Sequence, residues 1–93
     1  MSEPLPSIAD TLAERGNRYG VFSSHAAITQ NLKNQMQCAP NWGRLSASQR
    51  EALDMIAHKI GRILNGDPNY ADSWHDIAGY ASLVELELNG ETL

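Results

Sequence analysis

The chain has 93 residues, a net charge of −4 and a single cysteine, Cys38. A chain of this length predicts one domain spanning residues 1–93, and we expect residues 1–6 to form a flexible N-terminus. The seven scattered basic residues argue against nucleic acid as a partner, because phosphate binding needs clustered Lys and Arg. One cysteine excludes an internal disulfide. The chain shows no signal peptide and no apolar run of bilayer length, so we expect a cytoplasmic protein without a membrane partner.

The first half of the chain predicts two helices joined by a loop. The segment PSIADTLAERG predicts a short helix with Ser7 as its N-cap and Gly16 as its stop. The segment NRYGVFSS predicts a loop in which Gly20 adopts a positive φ. A second helix is predicted over SHAAITQNLKNQMQC, whose apolar residues recur every four positions on one face.

The third predicted helix has the clearest boundaries. Ser46 and Gln49 are spaced as a capping box, and Gly66 with Pro68 ends the element. Between these boundaries an apolar stripe predicts the face that packs into the core. The stripe consists of Leu53, Ile56, Ala57, Ile60 and Leu64.

The fourth helix is predicted from about Ala71 to Asn89, with Gly90 as its stop. Four helices with short loops, and no strand-like alternation, predict an all-α fold: a compact bundle of about four helices. Because 93 residues bury only a small core, we expect oligomerisation to complete the bundle, as a homodimer or a higher homo-oligomer.

Acidic residues concentrate on the third and fourth helices. On the third helix, Glu51 and Asp54 begin a polar stripe that continues through His58 and Arg62. On the fourth helix, Asp76 falls at the margin of the apolar face. An unpaired charge that is buried there is costly, so Asp76 needs a counter-charge.

Two interpretations of these acids are open. In the first, the polar stripe is solvated, Asp76 pairs with a basic side chain or a tyrosine hydroxyl, and Asp72 caps its helix or complements the helix dipole. The basic candidates are Lys59, Arg62 and Arg15. In the second, the two helices pack antiparallel and bring four carboxylates together around a divalent cation, because clustered carboxylates repel one another without one. Oxygen ligands favour Mg²⁺ or Mn²⁺ over zinc.

Three segments carry a resemblance to known families: ERGNRYG, REALDMIAHKIGRILNGDP and DSWHDIAGYASLVE. Together they resemble a family of small phage and prophage proteins over nearly the whole chain. The order of a Tyr-Gly loop, an acidic helix with a K-x-x-R pair, and a D-x-x-x-D-I-x-G-Y helix is also similar, more distantly, to MazG-like proteins. Those belong to the all-α nucleoside triphosphate pyrophosphohydrolases, which cleave (d)NTPs to monophosphate and pyrophosphate, usually as dimers or tetramers.

The resemblance to MazG-like proteins implies a role for individual residues. The implied catalytic residues are Glu51, Asp54 and Asp76. The implied Mg²⁺ or Mn²⁺ ligands are Glu51, Asp54, Asp72 and Asp76. The implied phosphate-binding residues are Lys59 and Arg62, and the implied nucleotide-binding residues are Tyr19 and Tyr80. The metal would polarise a phosphoryl oxygen and activate a water, and a neighbouring carboxylate would accept the proton.

The acids of this chain depart from the MazG pattern. That pattern has E-E-x-x-E on one helix and E-x-x-D on the next. Here the third helix offers E-x-x-D through Glu51 and Asp54, and the fourth offers D-x-x-x-D through Asp72 and Asp76. The paired glutamates are absent.

Two functional hypotheses follow. The first is a phage-type MazG-like protein, acting as a Mg²⁺-dependent (d)NTP pyrophosphohydrolase or as a nucleotide-binding relative without turnover. Its location would be the host cytosol if a phage encodes it. The second is a non-enzymatic phage accessory protein that binds a host protein through an exposed helix face. This alternative predicts that Asp76 pairs with a basic side chain.

Overall fold

A computed structural model describes residue 5 and residues 7–93. In this part of the chain there are four α-helices and a short 3-10 helix, with no β-strand, which confirms the predicted all-α bundle. The α-helices are α1 (Ile8–Tyr19), α2 (Phe22–Cys38), α3 (Ala47–Asn65) and α4 (Ala71–Leu88), and the 3-10 turn is Trp42–Arg44. The N-terminus predicted to be flexible, residues 1–6, lies outside the described residues except for Leu5.

The boundary between α1 and α2 differs from the prediction. Ser7 caps α1 as expected, its hydroxyl accepting a hydrogen bond from the Asp10 N–H at 3.1 Å. Gly16 does not stop the helix, which continues to Gly20, where φ is +79° and the N–H donates to the Gly16 carbonyl. The predicted loop is therefore wrong, since α2 already begins at Phe22. A single glycine weakens a helix by only about 1 kcal/mol, whereas the positive φ at Gly20 ends it.

Residues at the C-terminal end of α3 form hydrogen bonds with the turn between α1 and α2. The Asn65 carboxamide donates hydrogen bonds to the carbonyls of Tyr19 at 2.8 Å and Val21 at 2.9 Å. The Asp67 N–H donates to the Arg18 carbonyl at 2.7 Å. The bonds to Tyr19 and Arg18 satisfy carbonyl groups at the end of α1, which have no partner within that helix, and the Val21 carbonyl belongs to the start of α2. All three bonds fix the C-terminal end of α3 against the turn between α1 and α2.

The start of α3 follows the prediction. Ser46 and Gln49 form the capping box: the Ser46 hydroxyl accepts from the Gln49 N–H at 3.1 Å, and the Gln49 side chain accepts from the Ser46 N–H at 2.9 Å. Arg50, one residue further on, donates to the Trp42 carbonyl at 3.3 Å, which connects α3 to the 3-10 turn. Together these contacts fix the point where α3 begins.

The centre of the bundle is α3, which packs against α2 on one side and α4 on the other. The buried residues along it are small or polar rather than large and apolar. Gly61 faces Thr29 and His25 of α2, and Ala57 is buried beside it. On the α4 side Lys59 is buried, and Ser73 of α4 is buried too. The helices therefore meet at close range through small side chains and polar contacts.

The predicted apolar stripe of α3 is only partly covered. Ala57 is 2 % exposed, but Leu53 is 39 % exposed and Leu64 65 % exposed. The radius of gyration is 16.0 Å, against roughly 12 Å for a spherical domain of this length. The helices therefore leave large apolar side chains at the surface. No helix among the described residues has the length and apolar character needed to span a membrane.

The glycines of α3 and α4 allow a matched test of the α2–α3 contact. A Cβ at Gly61 would overlap the Thr29 hydroxyl and lie 2.8 Å from His25 Cδ2, whereas a Cβ at Gly79 meets nothing within 4 Å. We expect Gly61→Ala to lower the free energy of unfolding by about 1 to 3 kcal/mol through overpacking. Gly79→Ala should raise it by about 0.5 to 1 kcal/mol through helix propensity. Urea unfolding followed by circular dichroism measures both, and equal effects would contradict the close contact at Gly61.

Candidate functional site

A groove of about 480 Å³ lies between α1, the start of α2 and α3. We call it the α1–α3 groove. Leucine, valine and phenylalanine side chains line one part of it, and arginine, tyrosine and histidine side chains line the other. The lining residues are Leu12, Arg15, Gly16, Tyr19, Gly20, Val21, Phe22, His25, His58 and Arg62.

Arg62 stacked on Tyr19 forms part of the polar wall of the groove, and a second stacked pair, Arg18 on Tyr70, lies next to it. The Arg62 guanidinium lies 4.1 Å from the centroid of the Tyr19 ring, and the Arg18 guanidinium lies 4.3 Å from that of Tyr70. The two rings meet edge to face, with centroids 6.2 Å apart. Such cation–π contacts hold a guanidinium in place without neutralising its charge. Among the described residues neither Arg62 nor Arg15 forms an ion pair, whereas Arg18 pairs with Glu14.

Two histidines form the floor of the groove. His25 is buried, and its Nε2 lies 3.1 Å from the His58 carbonyl oxygen and 3.2 Å from the Thr29 hydroxyl. Because a carbonyl oxygen only accepts, we assign the ring proton of His25 to Nε2. The His58 ring stands edge-on to the His25 ring, with centroids 4.6 Å apart. The backbone of α3 thus fixes the His25 ring, which in turn supports His58.

His58 is held in its neutral form. Burial lowers its pKa to about 4, and the positive charge of Arg62 acts in the same direction. A neutral imidazole near Arg62 accepts or donates a hydrogen bond without adding charge. The groove therefore combines two positively charged side chains, a neutral imidazole and an apolar wall. This arrangement suits a ligand with an anionic end and an apolar or aromatic end.

Asp76, the acid that prompted the metal-site prediction, has a counter-charge within the chain. The Lys59 ammonium lies 2.9 Å from Asp76 Oδ2, with Lys59 buried and Asp76 partly exposed. The hydrogen bond from Lys59 holds the pKa of the Asp76 carboxyl below its usual value. Lys59 is one of the three basic partners that the sequence predicts for Asp76. Its ammonium binds this carboxylate and does not line the α1–α3 groove, whereas Arg62, the other predicted phosphate-binding residue, does.

The four predicted metal ligands are not gathered at one point. Asp54 lies about 140° around α3 from Lys59, so it faces away from Asp76. Asp72 lies in the first turn of α4 and accepts a hydrogen bond from the Tyr70 hydroxyl at 2.9 Å, which raises the pKa of Tyr70. Within residue 5 and residues 7–93, no three histidine, cysteine or acidic residues are grouped to hold a metal ion. The quartet of one chain thus fits Mg²⁺ or Mn²⁺ poorly, and that site stays a prediction.

Two more of the predicted residues lie elsewhere. Glu51 and Tyr80 line a separate, shallower groove between α3 and the second half of α4, together with Leu83. Tyr19 lies in the α1–α3 groove, so the two tyrosines predicted to bind nucleotide do not share a site. Asp54 has one carboxylate oxygen, Oδ1, that is buried without a hydrogen-bond partner among the described residues.

Sequence reasoning missed part of the groove. Arg15 and Phe22 were not predicted to bind a ligand, and the histidines were not assigned to a shared site. One signal was available in the sequence. Residues 12, 15, 16 and 19 recur at the spacing of one helix face, which indicates that α1 continues past Gly16. Reading that face as continuous would have placed Arg15 and Tyr19 side by side.

A family model described as "Domain of unknown function (DUF6378)" matches residues 8–87. The chain belongs to this family. The DUF6378 match runs from the first residue of α1 to within one residue of the end of α4, so it contains the α1–α3 groove and the Lys59–Asp76 pair. Searches of the curated proteins and of the solved structures gave no match.

The low pKa of His58 makes stability depend on pH in a defined range. The folded-state pKa of about 4 lies below the ordinary 6.5, so the unfolded chain binds a proton between these values and the folded chain does not. Stability is therefore complete above pH 6.5 and falls as the pH drops toward 4. Because His58 is partly exposed, we expect a loss of about 1 to 2 kcal/mol rather than the value for full burial.

Urea unfolding at several pH values between 7.5 and 4.5 measures this loss. We expect His58→Gln to flatten the dependence, and His75→Gln, at an exposed position of α4, to leave it unchanged. Equal slopes in the wild type and His58→Gln would show that His58 is not the titrating group.

Proposed function

We propose that the protein binds a nucleotide in the α1–α3 groove, as a nucleotide-binding relative of the MazG-like pyrophosphohydrolases. The observation that carries the proposal is the position of Arg62. Its guanidinium is stacked on Tyr19, lines an apolar groove beside Arg15, and has no carboxylate partner among the described residues. A phosphate group would supply the missing counter-charge.

The charge distribution supports an anionic ligand. The chain carries a net charge of −4, yet the lining of the groove contains two arginines and no acidic residue. Arg62 is held by the ring of Tyr19, so little side-chain freedom is lost when it binds a phosphate oxygen. A guanidinium presents paired N–H donors that match two oxygens of a phosphate.

The apolar part of the groove supports an aromatic base. The ring of Tyr19 holds Arg62 on one face and lies 6.2 Å from the ring of Tyr70, so we assign the base-stacking role to Phe22 instead. Phe22 lines the same groove and is 77 % exposed, so its ring is free to stack on a planar ligand. A volume of about 480 Å³ is in the usual range for small-molecule sites.

The proposal covers binding and no chemical step. The pyrophosphohydrolase activity that the MazG resemblance implies needs carboxylates around a divalent cation. The carboxylates named for that role lie apart in one chain, and Asp76 is paired with Lys59. We therefore derive no hydrolytic mechanism from these residues.

A second candidate is a phage accessory protein that binds a host protein. The ion pair between Lys59 and Asp76 is what that hypothesis predicted for Asp76, and it favours a structural role for this acid. Large apolar side chains at the surface, such as Phe22 and Leu12, would also suit a protein partner. Under this candidate the α1–α3 groove would bind a side chain of the partner and no free nucleotide.

Isothermal titration of each of the four dNTPs into the purified protein tests the nucleotide proposal. We expect at least one dNTP to bind, and we expect Arg62→Ala to weaken its affinity at least about tenfold, because a charge-assisted phosphate contact is lost. Arg44→Ala is the matched control, since Arg44 is exposed and lies outside the groove. It should leave the affinity unchanged.

Replacing Phe22 separates recognition of the base from recognition of the phosphates. Phe22→Ala should weaken binding of a dNTP but not of inorganic triphosphate, because only the dNTP has a base to stack. If no dNTP binds to the wild type, or if Arg44→Ala has the same effect as Arg62→Ala, the proposed site is wrong.

The role of the acids is tested in the same titrations with and without Mg²⁺. We expect the dNTP affinity of Asp76→Asn to stay within about threefold of the wild type in either condition, because Asp76 lies outside the groove and is bound to Lys59. Circular dichroism verifies that the variant is folded. Mg²⁺-dependent binding with pyrophosphate release, both lost in Asp76→Asn, would instead support the predicted metal site and a pyrophosphohydrolase.

A further inference from the structure

We propose that a second copy of the chain covers one face of the α3–α4 pair, so that two helices from each copy form a four-helix bundle. The face, called the α3–α4 face below, lies between the two antiparallel helices. It is mostly apolar. Its main residues are Leu53, Ile56 and Leu64 of α3 and Trp74, Ala81 and Leu88 of α4.

Helix geometry places these residues on one surface. Leu53, Ile56 and Leu64 fall in an arc of about 80° around α3, at spacings of three and eight residues. The α4 residues follow one another at intervals of seven, the repeat of a helix that packs against another along a seam. Leu53 and Ala81 line a common groove between the two helices, which shows that the two stripes face the same way.

The rest of the chain covers the apolar stripe of α3 only in part. Leu64 is 65 % exposed, and on α4 Trp74 is 56 % and Leu88 70 % exposed. Helix α2 packs against a different side of α3, around Gly61. A helix with an apolar surface this wide normally has a partner on that surface.

The charges of this face fit a copy of itself. A two-fold symmetric interface places each surface patch against the same patch of the partner, so like charges on it would meet. The chain carries a net charge of −4, but the α3–α4 face holds only one charged side chain, Glu85, near the end of α4. The opposite side of α4, with Asp76 and Glu87, would bring acids together across such an axis.

The exposed area is large enough for a stable dimer interface. The chain exposes 6916 Å², whereas a monomeric protein of 10.2 kDa exposes about 5,300 Å². The excess of about 1,600 Å², taken over the whole chain, is larger than the roughly 800 Å² that each partner buries in a stable protein–protein interface.

The dimer would leave the α1–α3 groove open. His58 and Arg62, which line that groove, lie on α3 away from the arc of Leu53 and Leu64. The proposal is therefore independent of nucleotide binding. It predicts one bundle core made by both copies and one groove on each copy outside it.

Light scattering coupled to size-exclusion chromatography tests the proposal on the full chain, loaded at about 50 µM. We expect the wild type to elute as a dimer of about 20 kDa, twice the 10.2 kDa of one chain. Leu64→Glu and Ala81→Glu should weaken dimerisation at least about 100-fold and give monomers, because each substitution buries two new carboxylates in the interface, one from each copy. Both positions are exposed in the single chain, so the helix content seen by circular dichroism should not change.

Leu83→Glu is the matched control. Leu83 is also an exposed leucine, at 49 %, but lies on the opposite side of α4 from Trp74, so this variant should remain a dimer. A wild type that stays monomeric up to several hundred micromolar overturns the proposal. So does a dimer that withstands Leu64→Glu and Ala81→Glu, or one that only Leu83→Glu dissociates, because the interface would then lie elsewhere.

Discussion

The close approach of α3 to α2 at Gly61 determines most of the arrangement. With no Cβ at this position, the α3 backbone lies against Thr29 and the buried ring of His25. Nε2 of that ring donates to the His58 carbonyl, so the histidine lies between the helices at a fixed rotation. His58 then stands against His25 with its pKa lowered, and Arg62, one turn further along α3, reaches Tyr19. The floor and the polar wall of the groove both depend on this contact.

The same contact explains why large apolar side chains of α3 lie at the surface. A helix has a limited circumference, and the two sides that touch α2 and α4 are taken by glycine, alanine, a histidine contact and the buried Lys59. The leucines at 53 and 64 are consequently turned to the remaining side. Small residues inside and large ones outside are the reverse of a self-sufficient domain, in which large apolar residues fill the core. Large apolar side chains of α3 therefore remain exposed in one chain.

The sequence predicted the features that depend on neighbouring residues. It did not predict the contacts that depend on how a helix is rotated about its axis. The caps at Ser7 and Ser46, the positive φ of Gly20 and the all-α class depend on neighbouring residues, so the sequence alone predicts them. Whether Asp54 and Asp76 converge depends on how α3 and α4 are rotated about their axes. An error of 100°, one residue of helix, moves a carboxylate to another face. The sequence analysis also did not predict that Arg15 and Tyr19 line one groove, because this arrangement requires α1 to continue through Gly16.

The hydrogen bonds of Asn65 have a consequence for the order in which the chain acquires its structure. The turn after α1 receives these bonds from a side chain 44 to 46 positions later, so no earlier segment provides them. During synthesis, residues 8–38 leave the ribosome well before Asn65, at about 5 to 20 residues per second. For some seconds α1 and α2 are held together by few contacts, and their carbonyls at the turn are bound to water. The N-terminal third of the nascent chain is therefore fixed only after α3 has been synthesised, and loss of the C-terminal half would leave it without a fixed fold.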